Sequence, residues 1–184
     1  MSFKQDIKIR IGGYFLKKDI AGTKRTKAIM NLKAAKTVGI IYNVGDIKEV
    51  EMVRKYITYL KDMGKKVRSI GYVPLKEMPG NVTTSIDQQC ITLKNVNWYF
   101  KPAIGFIGSF VEEEFDVLLD LNISASLPLV FIAALSKAKC KVGRYSEKYL
   151  NIYDVMIEAD EEKTLKYFLQ NVDTYMEMLN KKAV

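Results

Sequence analysis

FDVLLDLNISASLPLVFIAALSKAKCKVG, residues 115–143, is the stretch from which the fold can be read. Phe115 to Leu121 is apolar except for Asp116 and Asp120, the length and content of a strand covered on both faces. Asn122, Ser124 and Ser126 follow, and either serine can cap a helix opening at Leu127, with Pro128 in the first turn where its missing N–H costs nothing. Leu127 to Leu135 carries no polar side chain, so the helix has almost no wet face, and Cys140 to Gly143 starts a second strand. This is one βαβ unit.

Upstream, Thr37 to Tyr42 and Val67 to Val73 read as strands around a helix. Asp46 caps that helix in a capping-box arrangement with Glu49; Ile47, Val50, Val53, Ile57 and Leu60 form its apolar stripe, and Gly64 ends it. Residues 74–89, with two prolines and a glycine, read as a long irregular connection, the kind that serves a function or is mobile. Cys90 to Leu93 is a short strand, Trp98-Tyr99-Phe100 reads as aromatic packing at the core or its edge, and Ser109 to Glu112 has a capping-box spacing that opens an acidic turn. Downstream, Arg144 to Leu150 reads as a polar loop and Ile152 to Ile157 as a last strand. The closing helix starts at Asp160, Glu161 and Glu162, carries an apolar stripe from Leu165 through Phe168, Leu169, Val172, Tyr175 and Met176 to Leu179, and ends at Lys181 and Lys182. The alternation predicts a three-layer α/β/α sandwich with a mainly parallel, Rossmann-like sheet of about five strands.

The charge is divided unevenly. Of a net +8 over 184 residues, all falls in residues 1–36, where ten Lys or Arg face only Asp6 and Asp19. The expected organisation is a basic helical arm over 1–36 followed by a single α/β domain over 37–184. In the arm, Ile7, Ile11, Tyr14 and Phe15 recur at helical spacing, Ala21-Gly22 breaks the helix, and residues 24–36 resume it with Ala28, Ile29, Leu32 and Ala35 on one face. Lys17, Lys18, Lys24, Arg25 and Lys27 could meet an acidic surface such as anionic lipid, RNA or a protein partner, or could be the solvated side of a packed helix.

Composition excludes several chemistries. The chain has no histidine, so Ser-His-Asp and Cys-His catalysis and His-ligated zinc are out. Cys90 and Cys140 lack CxxC spacing and read as buried reduced thiols, which with the absence of a long apolar run or signal-like start predicts a cytoplasmic protein. No GxGxxG or GxxxxGK[ST] occurs, and Asp46 would repel a phosphate from its helix, so no nucleotide cofactor is expected. No metal site is expected either: Glu112, Glu113 and Glu114 fan out around a helix axis and make a solvated face.

In a doubly wound sheet a ligand sits beyond the carboxyl ends of the strands near the switch in strand order. The residues expected there are Asn43, Asp120, Asn122, Ser124, Ser126 and Arg144. The serine-rich turn leads into a helix N-terminus that favours an anion, and Arg144 could clamp it. Equally, Asp120 could simply bond the neighbouring turn while the serines cap and Arg144 is solvated. The leading expectation is a protein that binds a partner or a small anionic ligand at the strand ends, without evident catalytic machinery. One alternative is an enzyme on a nucleotide- or sugar-type substrate using Asp120 and Arg144; another is a peripheral adaptor using the basic arm.

The pattern FDVLLDL…AALSKAKCKVG, with KNVNWYFKP upstream, resembles a bacterial family of small α/β proteins of unknown function over most of the chain. A looser likeness, at the level of fold, links it to the N-terminal domain of heptosyltransferase-type glycosyltransferases, where a strand ending in aspartate precedes a helix and a "VG" strand. Those enzymes use a second Rossmann-like domain for which this chain lacks room, and no mechanism comes with the likeness.

Overall fold

A computed structural model describes residues 3–80, 84–159 and 164–179, with the side chains of 3–5 left aside. Six strands form one sheet, all parallel: β1 Thr37–Asn43, β2 Lys66–Val73, β3 Gln88–Thr92, β4 Val117–Asp120, β5 Cys140–Arg144 and β6 Val155–Ile157. Their order, β3-β2-β1-β4-β5-β6, is that of a doubly wound α/β fold. The expected five or so strands become six because both short edge candidates pair into the sheet.

Helices cover both faces. On one side α2 (Ile47–Asp62) and α5 (Leu165–Met178) bury Val53, Ile57, Leu60, Phe168 and Val172 against Val38, Ile40, Leu119 and Val142. On the other, α1 (Phe3–Gly22), α3 (Ile104–Val111) and α4 (Leu127–Leu135) pack Leu16, Phe110 and Phe131 over Ile41, Ile70 and Leu118. The strands thus present neighbouring residues to opposite cores, which is why their sequences are apolar almost throughout. α4 is buried from Pro128 to Ala134. Asp46 caps α2 by accepting from the N–H groups of Lys48 and Glu49, and Gly64, at φ +79°, lies just past its end.

The first 36 residues differ most from expectation. α1 turns Gly12, Phe15, Leu16 and Ile20 inward, while Ile7 and Tyr14 are exposed. Gly12 is there because α1 approaches closely: a Cβ would stand 2.7 Å from both the Leu127 side chain and the Tyr99 carbonyl oxygen. Phe15 stacks on Tyr99 at 4.7 Å, which gives Tyr99 its packing role, whereas Trp98 is exposed.

Residues 24–36 form no helix. They run as a strap along the amino-terminal edge of the sheet; Ala34 and Ala35 N–H turn back to Asn31 O, while other bonds go to distant partners. Ala28 N–H donates to Lys139 O at 3.1 Å, and Lys36 O accepts from Lys66 N–H at 2.9 Å. The Asn31 amide donates to Glu177 O and Leu179 O, and Lys65 Nζ donates to Ala35 O at 2.8 Å. Leu32 and Ala35 are buried in the α2/α5 core. The apolar spacing was real, but the strap buries those residues without helical turns.

Three further expectations are corrected. Ser109 lies near the end of α3, where its Oγ accepts from Arg68, so its spacing to Glu112 opens nothing. β6 starts only at Val155, after a turn holding Ile152 and Tyr153. Tyr175 stands exposed, outside the buried stripe of α5. Thr164 caps α5 by accepting from Tyr167 N–H; Asp160, Glu161, Glu162, Lys181 and Lys182 lie outside the described residues. Cys90 is half-buried and Cys140 buried, both as free thiols. Among the described residues no helix is long and apolar enough to cross a membrane, and no group of acidic or cysteine side chains could hold a metal ion; Glu112 pairs with Lys137, and Glu113 with Arg68 at 2.5 Å.

Candidate functional site

β1 and β4 are neighbours whose chains leave the sheet in opposite directions. After Asn43 the backbone turns toward β2, with Val44 N–H donating to Tyr72 O at 2.8 Å. After Asp120 it passes through Asn122 to Ser126 into α4 and on to β5, on the other side. A cleft of about 390 Å³ opens where they part. It is lined by Asn43, Asn122, Ser124 and Ser126 from the expected set, and by Tyr42, Glu49 and Tyr72, which were not among the residues expected there. The apolar wall comes from Leu121, Ile123 and Leu165.

Asn122 joins the two strand ends. Its Oδ1 accepts from Asn43 N–H at 2.7 Å, and its Nδ2 donates to Asp120. The other Asp120 oxygen accepts from the Tyr153 hydroxyl. Burial pushes the Asp120 carboxyl up to about 6, with the Tyr153 and Asn122 hydrogen bonds opposing that rise. Burial, with the Asp120 charge, drives Tyr153 well above the usual phenol range. Asp120 therefore faces away from the main cleft, into a smaller one of about 210 Å³ shared with Arg144, Tyr145, Tyr149 and Tyr153.

Arg144 is built into the walls between these clefts. Its Nε donates to Ala159 O at 2.7 Å and its Nη1 to Ile123 O, so it ties the turn after β4 to the chain leaving β6.

The serines do not cap. Ser126 occupies the N-cap position of α4 with extended backbone (φ −114°, ψ 113°) and makes no side-chain bond to the helix; Ser124 is exposed at the cleft. The first turn of α4 thus keeps unbonded N–H groups and the positive end of its dipole, with two hydroxyls beside it. Across the cleft, α2 has its N–H groups taken by Asp46, and Glu49 is held above the ordinary carboxylate range by burial and then by Asp46. The electrostatics of the cleft are therefore one-sided: the α4 end favours negative charge and the α2 end disfavours it. Glu49 is suited to a ligand hydroxyl instead.

These features define a doubly wound α/β protein with a polar cleft at its topological switch point. The model of the family of unknown function DUF6913 matches residues 8–179, and the chain belongs to that family. No curated protein matches it.

Proposed function

We propose that the chain binds a small ligand carrying both an anionic group and hydroxyls, of the phosphorylated-sugar or nucleoside-phosphate kind, in the cleft between β1 and β4. The carrying observation is the uncapped N-terminus of α4 beside Ser124 and Ser126, opening into a cleft whose other polar groups are Asn43, Asn122 and Glu49. The anionic group sits at the α4 end and the hydroxyls reach Glu49 and the tyrosines of the opposite wall. The enzyme reading is weaker, because the Asp120 and Arg144 side chains are engaged in hydrogen bonds that hold the strand ends together.

A thermal-shift screen against sugar phosphates and nucleoside monophosphates tests this. A ligand at 100 times its Kd adds about 2.7 kcal/mol, a shift on the order of 2–4 °C per kcal/mol at this size. The shift should fall sharply in Ser124→Trp, which fills the cleft from an exposed position. A shift that Ser124→Trp leaves undiminished, or a flat screen, would contradict the proposal.

A further inference from the structure

A third cavity, of about 340 Å³, lies toward the other end of β5, between the C-terminus of α1, the strap, α4 and the turn before β6. Lys141 lines it from the second position of β5 and is 2% exposed. Its Nζ donates to the Ala134 carbonyl at 3.2 Å, which leaves two of three N–H groups without a protein acceptor among the described residues. A buried cation without a partner is expensive, and proteins neutralise or pair such groups.

The charges around Lys141 do not pair it. From the strap come Lys24, Arg25 and Lys27; from the turn before β6 comes Asp154; α4 contributes only a carbonyl. Asp154 is already engaged: one oxygen takes Arg25 at 2.7 Å, with Lys27 at 3.7 Å, and the other takes the Lys141 backbone N–H at 2.9 Å. Arg25 is held further by Ala138 O and Lys139 O. Lys24 and Lys27 are exposed at the cavity mouth, and Lys24 has no ion pair among the described residues. The surroundings therefore hold more positive than negative charge, and among the described residues no carboxylate pairs with the Lys141 ammonium.

We infer that this cavity binds the phosphate or sulfate group of a small molecule, with Lys141 as its buried contact and Lys24 and Lys27 closing over it. The anion supplies the acceptors and the counter-charge that the protein withholds. Burial first, then Arg25, brings Lys141 down to about 7, with Asp154 opposing. An anion beside it favours the ammonium form, so binding takes up protons and weakens as pH rises.

Sulfate is the probe, because it does not titrate between pH 6 and 9. Calorimetry on the full chain in two buffers of different ionisation enthalpy should show uptake of about half a proton per sulfate at pH 7, with affinity at least tenfold lower at pH 9 than at pH 6.5. Lys141→Met should abolish the proton uptake and weaken binding tenfold or more. The exposed pair Lys24→Ala/Lys27→Ala, which leaves the core untouched, should weaken sulfate severalfold with uptake retained. Lys61→Ala, an exposed lysine on α2 outside this cavity, should change neither. Sulfate binding that is independent of pH, or undiminished in both lysine variants, would overturn the inference. So would binding to anionic vesicles with none to sulfate.

Discussion

The Tyr153 hydroxyl donates to the Asp120 carboxyl, joining residues 33 apart at the heart of the sheet's carboxyl edge. Gly143 makes the approach possible: a Cβ there would stand 2.7 Å from the Tyr153 ring. The bond fixes the end of β4, and with Asn122 it fixes the angle at which β1 and β4 part.

Asp120 makes stability depend on pH. Its folded value, about 6, lies above the usual carboxylate value, so the folded state holds the proton that the unfolded chain releases. Its contribution is complete below about pH 4 and is lost as pH rises to about 7, by some 3 kcal/mol at most. Urea unfolding at pH 4.5 and 7 should show this slope in the natural chain and a flattened one in Asp120→Asn. Tyr153→Phe should cost about 1–3 kcal/mol by removing a donor from a buried carboxylate and should move the slope to higher pH.

Gly12 and Gly13 separate space from propensity. Gly12→Ala drives a Cβ into Leu127 and the Tyr99 carbonyl and should destabilise by about 1–3 kcal/mol. Gly13→Ala meets nothing within 4 Å and should stabilise the helix by up to about 1 kcal/mol. Denaturation midpoints of the two variants should fall on opposite sides of the parent.

Arg144→Lys keeps the charge and loses the fork that reaches Ala159 and Ile123 together. It should lower stability by about 1–3 kcal/mol while leaving affinity for a cleft ligand within a few-fold. Full stability with lost binding would instead make Arg144 an anion clamp.

Lys141 acts in the opposite sense to Asp120. Its depressed folded value means that the unfolded chain binds the extra proton between about pH 7 and 10, so its burden on the fold is greatest below pH 7 and is relieved as pH rises. Lys141→Met should therefore be more stable than the parent at pH 6.5, with the gap narrowing toward pH 9.

Much of the architecture was legible because local signals agreed with the fold: buried runs in β1 and β4, Pro128 in the first turn of α4, Asp46 and Gly64 bracketing α2. The strap was not. Leu32 and Ala35 have helical spacing, and only the bonds from Ala28 N–H to Lys139 O and from Lys66 N–H to Lys36 O show that the chain around them is tied across the sheet edge. In the cleft, Asn43 and the Asn122–Ser126 turn were legible from the switch-point rule. Tyr153 was not, since its role depends on a ring passing over Gly143, and neither was Glu49, which reads in sequence only as part of a cap. Lys141 is one of many lysines in a basic chain, and its isolation appears only in three dimensions.

The most direct measurement is amide chemical-shift mapping of the ¹⁵N-labelled chain titrated with sugar phosphates and nucleoside monophosphates. The account predicts saturable shifts concentrated at residues 43–45 and 122–129, strongest at the first turn of α4, and absent in Ser124→Trp. No saturable shifts at these residues across the panel, whatever is seen around Lys141, would contradict a ligand site between β1 and β4.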